Sequence, residues 1–97
     1  MKMHLNLATA DLGRSVEFYQ TLLSTKPAKQ FKDYALFISE DPGLELALDP
    51  DPKAKVSENS HYGIVVDSIE AVDEAIERIR NAGFPIDVER QATCCYA

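Results

Sequence analysis

The sequence predicts an α+β domain built from two copies of one unit, the second of them incomplete. Three features predict this: each half opens with a strand-like segment, each continues with apolar residues at helical spacing, and a proline-rich polar stretch separates the halves. A chain of 97 residues suits one small domain. We therefore expect a single domain over 1–97, with module one at about 1–50, a linker at about 50–59 and a partial module two at about 60–97.

The first module begins with an alternating segment. Residues 3–8 place leucines on one face and polar residues on the other, which predicts a strand. Asp11 can cap a helix over 12–23, whose apolar residues share a face. Pro27 is expected to end this helix and to lead into short strands.

Two further strands complete the first module, and the second module repeats the beginning of the pattern. Residues 34–38 are apolar and aromatic, and residues 44–48 alternate, with Glu45 and Ala47 on the face away from the leucines. In the second half, the alternating patterns of residues 61–66 and 85–89 predict strands. A helix capped at 67–68 and stopped by Asn81-Ala82-Gly83 lies between them, with an apolar stripe of Ile69, Val72, Ile76 and Ile79.

Composition excludes several classes of function. The chain has 10 basic and 16 acidic residues, a formal net charge of −6, which disfavours nucleic acid and anionic membranes as partners. No apolar run approaches the roughly 18 residues of a transmembrane helix. The first six residues lack the apolar core of an export signal, so we expect a cytoplasmic protein.

A histidine stands near the start of the first strand of each half, His4 and His61. If the modules pack about a pseudo-twofold axis, both imidazoles face one cleft and suit a divalent ion such as Fe(II), Zn or Ni. Such a site usually adds a carboxylate and keeps open positions. Taken singly, each histidine is more typical of a structural polar residue on a strand than of a metal ligand, and the metal interpretation depends on their equivalent placement in the two halves.

The two cysteines, Cys94 and Cys95, are adjacent. A disulfide between neighbours closes a strained ring, so two free thiols are the simpler interpretation. Thiolates prefer soft ions such as cadmium, and trivalent arsenic belongs to the same class. The alternative is a pair of buried, inert cysteines.

Several segments resemble one known family. Residues 3–7 and 11–19, the strand at 61–66 and the helix exit at 81–85 resemble the vicinal-oxygen-chelate superfamily, which includes glyoxalase I, bleomycin-resistance and extradiol-dioxygenase proteins. Residues 92–97, Ala-Thr-Cys-Cys-Tyr-Ala, resemble its branch of cadmium-induced proteins and organoarsenical carbon–arsenic lyases. The resemblance implies paired βαβββ modules of the glyoxalase/dioxygenase type.

The resemblance also implies a site. In the lyase branch, non-haem Fe(II) is held by two histidines and a glutamate, and dioxygen is used to cleave the carbon–arsenic bond of trivalent organoarsenicals. By position, His4 and His61 match the metal ligands, and Cys94 and Cys95 match the thiols that bind the substrate. The family's glutamate lies on a strand beyond residue 97, so Glu45 or a carboxylate of a second chain would have to replace it. An open sheet edge would favour a homodimer.

Two other functions stay open at this point. One is non-catalytic binding of cadmium or trivalent arsenicals through Cys94 and Cys95. The other is a generic glyoxalase-like activity on a small organic substrate, with the cysteines incidental. Loss of arsenical binding after replacement of both cysteines by serine would exclude the generic glyoxalase-like activity.

Overall fold

The computed structural model describes residues 1–55 and 62–88. These residues form a mixed α+β structure in which a sheet of order β1-β4-β3-β2 carries both helices on one side. Strand β1 pairs with β4 in parallel, and the other neighbours are antiparallel. The elements are β1 (Met3–Thr9), α1 (Leu12–Leu23), β2 (Lys29–Phe31), β3 (Tyr34–Ser39), β4 (Leu44–Pro50) and α2 (Ile69–Asn81). The predicted βαβββ order of the first module is confirmed.

Strand register separates two faces of the sheet. Leu5 lies opposite Leu46, and Leu7 lies opposite Leu48, so the leucines of β1 and β4 share the face that α1 covers. The buried core of this helix side consists of Val16, Leu23, Ala35, Phe37, Leu46 and Leu48. We call the opposite side the open face; its side chains, by register, are those of His4, Asn6, Ala8, Lys29, Phe31, Tyr34, Leu36, Ile38, Glu45, Ala47 and Asp49.

Side-chain caps set the starts of both helices, as predicted. The Asp11 carboxylate accepts a hydrogen bond from the Arg14 backbone N–H at 3.0 Å, and the Ser68 hydroxyl accepts one from Ala71 N–H at 3.1 Å. Helix α1 ends at Leu23, as predicted, but Pro27 is not the residue that ends it. Ser24 adopts a left-handed conformation with φ of 50° and ends the helix three residues before Pro27.

Helix α2 packs on α1 through a side chain that reaches backbone oxygens. The Arg78 guanidinium donates from Nε to Thr21 O at 2.8 Å and from Nη2 to Leu22 O at 3.1 Å. These carbonyls belong to the last turn of α1, where backbone acceptors lack partners within the helix. Nη1 of Arg78 also lies 3.6 Å from Oε1 of Glu74, four residues earlier on the same helix. A positive side chain thus joins the two helices.

Replacing Arg78 by methionine is expected to lower the free energy of unfolding by about 1–3 kcal/mol, because two carbonyls of a part-buried helix end lose a charged donor. Urea denaturation followed by circular dichroism measures the change. Arg80→Met is the matched control, since its ion pair with Glu77 is exposed and should contribute less than about 1 kcal/mol. Equal losses in the two variants would contradict the proposed role of Arg78.

The second half differs from the sequence prediction. Residues 62–66 and 84–88 take no strand pairing, although strands were expected over 61–66 and 85–89. Strand conformation depends on a hydrogen-bonded neighbour, and no described strand lies beside either segment. Within residues 1–55 and 62–88, no helix is both long and apolar enough to cross a bilayer.

Candidate functional site

The open face carries a histidine and a carboxylate side by side. Parallel pairing places His4 of β1 directly opposite Glu45 of β4, although 41 positions separate them in the chain. Nδ1 of His4 lies 3.3 Å from Oε1 of Glu45. Their side chains are 58% and 43% exposed, respectively, so both remain accessible from solvent. The leucine alternation that buries the helix side is what turns both polar side chains to the open face.

The spacing of these two atoms suits a shared metal ion. Imidazole nitrogen and carboxylate oxygen both bind divalent first-row metals at about 2.0–2.2 Å. Two such ligands on one ion lie about 2.8–3.6 Å apart for angles between octahedral and tetrahedral. The observed 3.3 Å falls in that interval. The pair forms a hydrogen bond in the structure, and its separation equals that of two neighbouring ligands on one metal ion.

Two ligands are not a complete site. In the part of the chain that the structure describes, no group of three His, Cys, Asp or Glu side chains is placed to hold a metal. His61, Cys94 and Cys95 lie outside the described residues. Glu45, expected as a possible substitute for the family's glutamate, is the predicted residue that the structure brings to His4.

The sequence pattern did not indicate the apolar neighbours of the His4–Glu45 pair. Ile38 lies directly opposite Glu45 on the next strand, and Leu36 lies opposite Ala47. All four side chains belong to the open face. The continuous apolar run at 34–38 hides this arrangement, because without the register nothing distinguishes its outward side chains from its core ones.

Two cavities of the described structure lie away from the His4–Glu45 pair. A groove of about 950 Å³ between α1, α2 and β1 is lined mainly by apolar side chains on the helix side, and a second of about 640 Å³ lies near the start of α1. Neither is lined by His4 or Glu45. Tyr19 borders both, and burial, with a smaller contribution from Tyr62, raises the pKa of its phenol, so it stays protonated at neutral pH. The apolar groove has no described metal-binding pair.

Comparison with known proteins agrees with the fold. A solved structure, "Structure of a possible Glyoxalase from Bacillus cereus", matches with a TM-score of 0.74 and 25% identity, covering 90% of this chain and 78% of that one. The fold is thus of the glyoxalase type, with one complete module and helix α2 of the second in the described residues.

Sequence relatives carry more specific names. The chain is 35% identical over 95 residues to the "Probable trivalent organoarsenical cleaving enzyme" of Bacillus subtilis (strain 168), covering 98% of this chain and 65% of that protein. It is 35% identical over 96 residues to "Cadmium-induced protein CadI" of Mycobacterium tuberculosis (strain ATCC 25618 / H37Rv), covering 99% and 62%. It therefore spans less than two thirds of either relative's length.

A family model shows the relationship across nearly the whole sequence. The model described as "Glyoxalase/Bleomycin resistance protein/Dioxygenase superfamily" matches residues 3–97. This range includes both histidines and both cysteines singled out from the sequence. The chain belongs to the glyoxalase/bleomycin resistance protein/dioxygenase superfamily.

Proposed function

We propose that the protein is a metal-dependent enzyme that cleaves the carbon–arsenic bond of trivalent organoarsenicals. The observation that carries the proposal is the His4–Glu45 pair, two metal donors 3.3 Å apart on the open face. Relatives at 35% identity named for organoarsenical cleavage support the choice of substrate. Members of the superfamily often use a divalent metal and act on small molecules.

Each residue has a distinct role in this proposal. His4, Glu45 and His61 hold Fe(II), and Cys94 and Cys95 bind the trivalent arsenic atom, because thiolates are its preferred ligands. When bound there, Fe(II) would supply the redox chemistry with dioxygen: methylarsenous acid and one O2 give arsenous acid and formaldehyde, so dioxygen is the oxidant and the methyl carbon leaves as formaldehyde. Strands β1 and β4 hold the two described donors rigidly, which keeps the separation of His4 and Glu45 fixed as substrate enters.

A second candidate is capture of cadmium or trivalent arsenicals by Cys94 and Cys95 without turnover. The cadmium-induced relatives favour it, since their name refers to a soft ion rather than to a reaction. The two candidates differ in what His4 does. An enzyme needs this histidine for product formation, whereas a thiol trap does not.

The test is anaerobic loading with Fe(II), followed by methylarsenous acid and air, with the released inorganic arsenite measured by chromatography and mass spectrometry. We expect release by the wild-type protein, arsenical binding without release by His4→Ala, and neither by the Cys94→Ser/Cys95→Ser variant. Binding without release by the wild-type protein would favour the thiol trap. Release by His4→Ala at the wild-type rate would overturn the role of His4 as a ligand.

A further inference from the structure

A lysine and a glutamate form an ion pair close to the His4–Glu45 pair. Nζ of Lys2 donates to Oε1 of Glu40 at 2.5 Å. Lys2 stands two residues before His4 in the chain, and residues two apart in an extended segment share a face at a spacing of about 6–7 Å. Lys2 therefore brings a positive charge to the neighbourhood of the two metal donors.

Gly43 lets the Lys2 side chain cross to Glu40. The Met3 backbone N–H donates to Gly43 O at 3.1 Å, which places the start of β1 against the residue just before β4. A β-carbon at position 43 would lie 3.8 Å from Cγ of Lys2 and 3.9 Å from the backbone oxygen of Glu40. The lysine stem thus passes beside a position that has no side chain, two residues before Glu45 in the chain.

The two carboxylates have separate partners in the structure. Glu45 pairs with His4, and Glu40 pairs with Lys2. A lysine side chain is a flexible four-carbon stem that ends in a compact charge with three donors. Without Glu40, the Lys2 ammonium can therefore turn to the carboxylate of Glu45, which is 43% exposed.

We infer that Glu40 is a positioning residue that keeps the Lys2 ammonium from pairing with Glu45, and so keeps the Glu45 carboxylate available to a metal ion; this inference rests on the proposed function. An ammonium paired with Glu45 would have to be displaced before the metal binds. The cost is that of breaking an exposed ion pair, which corresponds to about three- to fivefold in metal affinity.

The Lys2–Glu40 pair acts through the position of a charge rather than through stability. The Glu40 side chain is 84% exposed, and exposed ion pairs contribute little to the free energy of unfolding. Loss of the pair should therefore leave the fold intact and change only which cation lies beside Glu45. Metal affinity and stability thus become separate measurements.

The experiment is anaerobic competition for Fe(II) with a chromophoric chelator at low salt. We expect Glu40→Gln to weaken Fe(II) binding by about three- to fivefold, because Lys2 then pairs with Glu45. Lys2→Met should stay within about 1.5-fold of the wild-type affinity, because Glu40 already neutralises the lysine. The Lys2→Met/Glu40→Gln double variant should regain wild-type affinity, which a purely structural role of the ion pair would not allow. At about 1 M salt the Glu40→Gln defect should disappear through screening.

Glu17→Gln is the matched control, because it also removes an exposed carboxylate but lies on α1. It should bind Fe(II) as the wild-type protein does. Wild-type affinity in Glu40→Gln, or a double variant as weak as Glu40→Gln, would overturn this inference and leave the proposed function standing. Lys2→Met binding that tightens as much as Glu40→Gln binding weakens would show that the two charges act independently, and would also overturn it. A wild-type protein that binds no Fe(II) would overturn both.

Discussion

Replacing His4 by alanine is expected to weaken Fe(II) binding by more than about a hundredfold. Loss of an outer partner of a metal ligand already costs about 10–100-fold in affinity, and loss of a direct ligand should cost more. The His4 imidazole is half-exposed on β1, the outermost strand of the described part of the sheet, so its removal should leave the fold intact. Anaerobic competition with a chromophoric Fe(II) chelator measures the affinity.

Variants of Glu45 test whether its carboxylate is the second described metal ligand. If its carboxylate binds the metal directly, Glu45→Gln and Glu45→Ala should both weaken binding strongly, because the charge is lost in each. In the double variant with His4→Ala the two effects should not add, since both residues serve one ion. Glu17→Gln, an exposed carboxylate on α1, is the control and should bind Fe(II) normally.

Two outcomes would contradict this assignment. Wild-type affinity in Glu45→Gln would mean that Glu45 only accepts a hydrogen bond from His4, a task that an amide oxygen can also perform. Wild-type affinity in His4→Ala would mean that any metal is held elsewhere. Retained helical circular dichroism in each variant separates loss of metal binding from loss of fold.

Replacing Phe37 by alanine is expected to lower the free energy of unfolding by about 3–5 kcal/mol. Phe37 is fully buried on the helix side of β3, within the cluster that includes Val16 and Leu46. Its loss removes apolar contacts and leaves a cavity that the rigid sheet cannot close. For a small domain, whose total stability is about 5–15 kcal/mol, this change is a large fraction.

Phe31→Ala is the matched control, because Phe31 is 60% exposed on the open face, on the strand next to Phe37. It should change stability by less than about 1 kcal/mol. In urea titrations of the two variants, only Phe37→Ala should shift the midpoint strongly, with an unchanged slope. Similar midpoints would show that the helix side does not form the core.

Local features of the sequence predicted the elements of the first module and helix α2. Helix α1 occupies the predicted 12–23, and α2 occupies Ile69–Asn81 with Ser68 as its cap. Both predictions depend on apolar periodicity and on caps within three residues of the helix start. The alternation of β4 likewise predicted which side Glu45 takes.

Those local patterns could not predict contacts between segments that are distant in the chain. The spacing of Glu74 and Arg78 by itself indicates only an exposed pair on one helix face, yet the Arg78 side chain also binds two carbonyls of α1 more than 50 positions away. The segment at 62–66 has strand-like residues but no described neighbour to complete its hydrogen bonds. Strand formation there depends on a partner, not on local propensity.

The sequence by itself determined the family, the helix bounds and the polar side of β1, because each depends on residues close together in the chain. Only the tertiary structure decided that His4 lies opposite Glu45 and that Ile38 follows in the same row. Strand register is set by packing the leucines of β1 and β4 against α1, and a shift of one residue would turn every side chain to the other face. The site is therefore a consequence of how the core packs.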